Sequence, residues 1–96
     1  MSIDEFRALG ADGDPAGLSG ALRALLLDAR GDWTGAHDAA QSEETPDGAW
    51  VHAYLHRKEG DAGNAAYWYR RAGRPFPACS LEAEWERIAA DLLKGG

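Results

Sequence analysis

The chain has little of several residue types, and each shortage argues against a class of protein. Only one of its 96 residues is a cysteine, Cys79, so neither an internal disulfide nor a cysteine-based metal site is expected. Ten Lys and Arg stand against 16 Asp and Glu, which argues against nucleic-acid binding, because phosphates are bound by clustered cations. No apolar run approaches the roughly 20 residues that span a bilayer, and the acidic first residues lack a secretory pattern. We therefore expect a cytoplasmic protein that binds neither nucleic acid nor membranes.

Val and Ile are almost absent, whereas Ala and Gly are abundant, and this composition favours helices over strands. Apolar residues recur at helical spacing, as Leu18, Leu22 and Leu25 do, and no stretch alternates with a period of two. Four tryptophans are many for a chain of this length, and large aromatics opposite alanines fill the space between closely packed helices. The sequence predicts a single all-α domain.

Two Gly-Asp turns, at Gly31-Asp32 and Gly60-Asp61, lie 29 residues apart. In each, the glycine ends one helix. Asp32 or Thr34 is expected to cap the helix after the first turn, and Asp61 the helix after the second. Ala36 and Ala65 follow with the same offset. A repeated helix–turn–helix with alanines at close-contact positions is typical of helical repeat proteins.

The first third of the chain carries its own helix signals. A capping box of Ser2 and Glu5 predicts a short N-terminal helix, which is followed by a loop at 10–13. Asp14 is a candidate cap for the next helix, whose firm part is expected to begin near Ser19 because glycines weaken the first turns.

The segment 65–72, AAYWYRRA, resembles the second helix of tetratricopeptide and Sel1-like repeats, which place a small residue, an aromatic pair, a cation and then alanine. With Gly60 aligned on the turn glycine, Ala53 and Pro77 also match the tetratricopeptide pattern. The first unit matches in part, at Ala24, Gly31 and Ala36. The resemblance covers roughly residues 18–77.

This resemblance implies two antiparallel helical hairpins, at about 18–43 and 47–73, with a short N-terminal helix before them and a C-terminal capping helix at about 80–93. Pro46 and Gly48 predict a loop at 42–48 between the hairpins, and Ser80 is a candidate cap for the last helix. The 29-residue offset is shorter than the usual ~34, which indicates a closed pair of hairpins rather than a long solenoid. The implied function is a protein–protein interaction or scaffold module with a protein or peptide partner, and a homodimer is compatible with it.

Two groups of residues are candidates for partner contacts. In the repeat frame Trp50 and Tyr54 line a concave groove, where Arg57 and Lys58 add charge for an acidic peptide. Aromatic residues at helical spacing are also typical of a core, with the cations at its edge. The other candidates for ligand or peptide contacts are His37, His52 and His56.

The histidines also support an alternative function, a small metal-binding or metal-dependent enzyme. His52 and His56 are four residues apart on one helix face, Glu59 continues their stripe, and His37 lies on the neighbouring helix. Three imidazoles and a carboxylate suit zinc or iron. The competing interpretations are a solvated stripe or partly buried histidines with hydrogen-bond partners.

Nucleophilic catalysis has little support in the sequence. Cys79 lies at the mouth of the last helix, where a helix N-terminus lowers a thiol pKa, but no histidine is adjacent in the sequence. Phosphate-loop, kinase, hydrolase and dinucleotide fingerprints are absent from the sequence. The sequence therefore favours a protein without enzymatic activity and without a cofactor.

Overall fold

Helices form all the regular structure in this computed structural model, which describes residues 2–12 and 18–95. No strand occurs in those ranges, and this confirms the all-α class. The helices are α1 (Ile3–Asp12), α2 (Gly20–Ala29), α3 (Trp33–Ser42), α4 (Pro46–Lys58), α5 (Ala62–Ala72) and α6 (Leu81–Gly95). Within the same ranges, none of them is both long and apolar enough to cross a membrane.

The two Gly-Asp turns share one backbone conformation. Gly31 and Gly60 adopt positive φ angles of 84° and 90°, which a glycine reaches without steric cost. Asp32 and Asp61 follow with φ −96° in both and ψ 77° and 78°, and each side chain accepts a backbone N–H from the first turn of the next helix. The two turns that share a sequence therefore also share a backbone conformation.

Each of these turns connects the two helices of a helical hairpin. The α2 helix packs most extensively on α3, and α4 on α5, while α3 against α4 joins the hairpins. The α6 helix lies against α1, α2 and α4. The Cα radius of gyration is 12.0 Å, as expected for a closed domain of this length. Kinship with tetratricopeptide or Sel1-like repeats stays a prediction.

The α4 helix occupies the centre of the molecule. Its residues from Gly48 through Leu55 are all buried, because α2, α3, α5 and α6 pack around it. Alanines at its contacts, such as Ala36, Ala53 and Ala65, are completely buried and let the backbones approach closely. The middle of α4 is therefore covered on every side.

Several predicted boundaries are confirmed and two are wrong. Ser2 and Glu5 form the capping box, Ser19 caps α2, and the Ser80 hydroxyl accepts the backbone N–H of Ala83. The predicted Asp14 cap lies outside the described residues.

The loop predicted at 10–13 is wrong over 10–12, because α1 continues to Asp12. The loop predicted at 42–48 is reduced to 43–45. Thr45 caps α4 and Pro46 starts it, in the first-turn position where a missing N–H costs nothing.

Candidate metal centre

The structure brings all three histidines together. His37 comes from α3, in the first hairpin, and His52 and His56 come from adjacent turns of α4, in the second. The ring centroids of His37 and His52 are 4.6 Å apart, those of His37 and His56 5.3 Å, and those of His52 and His56 4.8 Å. One nitrogen from each ring lies within 4.8 Å of the others. The cluster therefore spans the seam between the hairpins.

Two tryptophans bracket the histidine cluster. The Trp33 ring stacks on His37 at 4.9 Å, and its indole N–H donates to the Leu55 carbonyl, which fixes it against α4. On the other side Trp68 stacks on His52 at 3.9 Å. The indoles hold the imidazoles in place and limit their contact with water.

His52 is the buried member of the cluster. It is 3% exposed, and its Nδ1 has no hydrogen-bond partner among the residues that the structure describes. Burial, together with the neighbouring His37 and His56, lowers the pKa of His52 to about 4. The ring is therefore neutral at pH 7, which is the form of imidazole that binds metals. The solvated stripe suggested by the sequence is wrong for this residue.

Glu59 contacts His56 from outside the cluster. Its Oε2 lies 2.6 Å from Nδ1 of His56 and accepts a hydrogen bond from it, which leaves Nε2 of His56 with the lone pair that can bind a metal. Glu59 groups with His56 and Asp61, not with His37 and His52. The structure thus places Glu59 behind His56, outside the three-histidine cluster, where the sequence suggested a fourth ligand.

An open cleft of about 660 Å³ reaches the cluster at His52 and Trp68. Its lining also contains two acidic residues and one basic residue, Glu43, Glu44 and Arg71. The cleft therefore gives the cluster an opening to solvent.

The four residues predicted to line a groove lie inside the molecule or in ion pairs. Trp50 and Tyr54 are 4% and 2% exposed. Arg57 donates to Glu84 Oε1 at 2.7 Å, and Lys58 donates to Asp28 Oδ1 at 2.8 Å. The two aromatic side chains belong to the core, and both cations already have partners within the fold.

Sequence reasoning missed two buried carboxylates, Asp28 and Glu84, which are 5% and 2% exposed. Asp28 accepts hydrogen bonds from the Tyr54 hydroxyl at 2.9 Å and from Lys58. Glu84 accepts from Arg57 and from the Tyr69 hydroxyl. Each lies at an apolar-face position of its helix, and that position was the available signal.

Comparison with known proteins found no matching family model, no matching curated protein and no matching solved structure.

Proposed function

We propose that this protein binds a divalent transition-metal ion, Zn²⁺, through His37, His52 and His56. The observation that carries the proposal is the buried Nδ1 of His52, which has no hydrogen-bond partner among the described residues and lies beside two further imidazoles. A buried polar atom without a partner is costly, and a metal ion bound at this cluster would compensate for such polar burial.

The ligand set fits zinc in type and number. Neutral imidazole is a common zinc ligand, and sites with three protein ligands keep a further position open for water or another ligand. At Zn–N distances of about 2.0–2.1 Å, tetrahedral ligand nitrogens are roughly 3.3 Å apart. The nitrogens here lie within 4.8 Å, so the rings would close by up to about 1.5 Å on binding.

Glu59 supports the same function from behind His56. A carboxylate that accepts the second ring N–H of a metal-binding histidine fixes its tautomer and raises its basicity. The 2.6 Å contact has this arrangement. We therefore assign Glu59 a positioning role at the proposed site.

Metal titration of the purified protein tests the proposal. The chain is produced without a histidine tag, stripped with a chelator and titrated with Co²⁺, whose visible absorption reports tetrahedral nitrogen ligation. Zn²⁺ is then added in competition. We expect one ion per chain, with Zn²⁺ displacing Co²⁺.

Single substitutions assign the ligands. His37→Gln, His52→Gln and His56→Gln are each expected to abolish the tetrahedral Co²⁺ spectrum, and Glu59→Gln to weaken Zn²⁺ binding by about 10–100-fold. Asp38→Asn, an exposed change beside His37, is the matched control and should bind as wild type does. Failure of the wild-type protein to take up a stoichiometric ion would refute the site, as would unchanged binding by the three histidine variants.

The interaction or scaffold role inferred from the repeat resemblance stays a prediction. Its proposed groove has less support than the metal site, because Trp50 and Tyr54 are buried and the adjacent cations are paired. The groove would gain support if a partner protein were captured by the wild type and not by a folded Arg57→Ala variant.

A further inference from the structure

A small cavity on the opposite side of α4 carries two arginines. It encloses about 80 Å³ between the 74–79 segment and the N-terminal half of α6. The residues that matter in its lining are Trp50, Arg74, Cys79, Glu84 and Arg87. A cationic cavity is unexpected in a chain whose formal net charge is −6.

Neither arginine donates a hydrogen bond to a carboxylate among the residues that the structure describes. Arg74 forms a loose ion pair with Asp91, in which 3.7 Å separates Nη1 from Oδ2, and this is beyond hydrogen-bond length. Arg87 is exposed and forms no ion pair with any residue in the ranges that the structure describes. Two guanidinium groups at one cavity therefore retain hydrogen-bond donors for a ligand.

The one carboxylate in the lining does not cancel them. Glu84 is 2% exposed, and its two oxygens accept from Arg57 and from the Tyr69 hydroxyl. Its charge is therefore matched within the core, by a cation that does not line the cavity. The cavity keeps a net positive charge.

Trp50 orients one of the two donors. The Arg74 guanidinium lies 3.7 Å from the centroid of the Trp50 ring, in a cation–π contact. Stacking uses the face of the guanidinium plane and leaves the N–H groups at its edge free to donate. Arg74 is thus held with its donors available.

We propose that this cavity binds a phosphate group, free or as a small phosphomonoester, between Arg74 and Arg87. The planar guanidinium fork matches phosphate oxygens in pairs, and two such forks balance a dianion, whereas a carboxylate needs only one. About 80 Å³ is enough for an ion of a few heavy atoms. The proposal does not depend on the metal site.

Titration with inorganic phosphate, followed by amide and arginine side-chain NMR, tests this proposal. The protein is metal-free, so that phosphate bound to an ion is not mistaken for phosphate bound to arginine. Ionic strength is held constant with sodium chloride, and acetate forms a parallel arm. We expect saturable shifts at Arg74, Arg87 and Trp50 with phosphate, and a weaker response to acetate.

Arg74→Gln and Arg87→Gln should each weaken phosphate binding by about tenfold or more, the loss that accompanies one charge-assisted hydrogen bond. Arg70→Gln removes an exposed cation on α5 and is the matched control, expected to bind as wild type does. Circular dichroism checks that the variants are folded. Absence of saturable shifts in wild type, equal binding of acetate, or equal losses in all three variants would overturn the assignment. A glycerol phosphate arm shows whether a monoester enters as the free ion does.

Discussion

At the scale of single residues, some positions of this fold accept only a small side chain because another backbone segment lies close by. The hairpins approach each other through alanines, and at Gly48 the approach is closer still. An ideal Cβ built on Gly48 would lie 2.0 Å from the carbonyl oxygen of Glu43. Gly48 belongs to the first turn of α4, so this glycine lets the helix start directly beneath the chain that leaves α3.

Gly48→Ala is therefore expected to destabilise the protein, although alanine has the higher helix propensity. The added methyl meets a backbone atom, which cannot rotate away, and overpacking of this kind costs about 1–3 kcal/mol. Gly63→Ala is the matched control: its Cβ would come no nearer than 4.0 Å to Asp61 Oδ1, and it should be neutral or stabilising by up to about 1 kcal/mol. Urea unfolding of both variants measures the difference. Equal stabilities would show that the chain before α4 moves aside freely.

Tyr54 makes a pH-dependent contribution to the free energy of unfolding. Burial raises the pKa of its hydroxyl well above 10, and the charge of Asp28 adds to the effect. Below pH 10 the hydroxyl is neutral in both folded and unfolded chains, and its hydrogen bond is intact. As the pH rises above 10 the unfolded chain loses this proton first, so the free energy of unfolding should fall by up to about 1.4 kcal/mol per pH unit.

Tyr54→Phe should remove this part of the alkaline slope. Unfolding by urea at several pH values between 8 and about 11.5 measures it. Tyr67→Phe, at an exposed position, is the matched control for loss of a hydroxyl. Parallel stability curves for wild type and Tyr54→Phe above pH 10 would contradict the assignment.

At the scale of elements, two buried carboxylates fasten the central helix. Asp28 joins α2 to α4 through Tyr54 and Lys58. Glu84 joins α6 to α4 through Arg57, which also donates to the Cys79 carbonyl. These contacts set where α4 lies against its neighbours, and the histidines share that helix.

Glu84→Ala is expected to cost about 3–5 kcal/mol, because it leaves the Arg57 guanidinium and the Tyr69 hydroxyl without their acceptor. Glu84→Gln keeps an acceptor oxygen and should cost less. Glu86→Ala, two residues along the same helix, breaks an exposed pair with Arg7 and should change stability by roughly 0–1 kcal/mol. Thermal and urea unfolding give the three values. Equal losses for the two alanine variants would mean that burial adds nothing to the Glu84 pair.

Local sequence signals predict where the helices begin and end better than they predict which helices pack together. The turns at Gly31 and Gly60 follow from short-range chemistry, since glycine reaches a positive φ and the next aspartate caps. The loop prediction at 42–48 is too long because Pro46, a common loop residue, fits the first turn of a helix equally well. A carboxylate such as Glu84 looks solvated until the partner helix that supplies its arginine is in place.

The candidate site also has a part that local sequence signals predict and a part that depends on helix packing. That His52 and His56 share a face follows from their spacing, and partial burial follows from a central helix. The meeting with His37 depends on how α3 lies along α4, which is a contact between hairpins and leaves no mark within either helix. The sequence could therefore offer three candidate ligands but could not place them together.

At the scale of the whole molecule, the histidine cluster lies where the two hairpins meet. His37 belongs to the first hairpin, and His52 and His56 to the second. An ion held by all three would cross-link the halves in the folded state only. Metal binding and global stability should therefore be coupled.

Zn²⁺ at about 100 times its dissociation constant should raise the free energy of unfolding by about 2.7 kcal/mol, and hence Tm by roughly 10–20 °C in a domain of this size. Scanning calorimetry with Zn²⁺ and with chelator measures this shift. His37→Gln should abolish the gain while leaving Tm in chelator close to that of wild type, because the His37 side chain is only half-buried.

Hydrogen exchange separates a cross-link from binding to one helix. If the ion joins the hairpins, amides of both α3 and α4 should gain protection on adding Zn²⁺, and His37→Gln should remove the gain in both. If only α4 gains protection, and His37→Gln leaves that gain intact, then His52 and His56 bind the ion without α3. That outcome would contradict the three-histidine site, since the seam between the hairpins would then have no part in holding the metal.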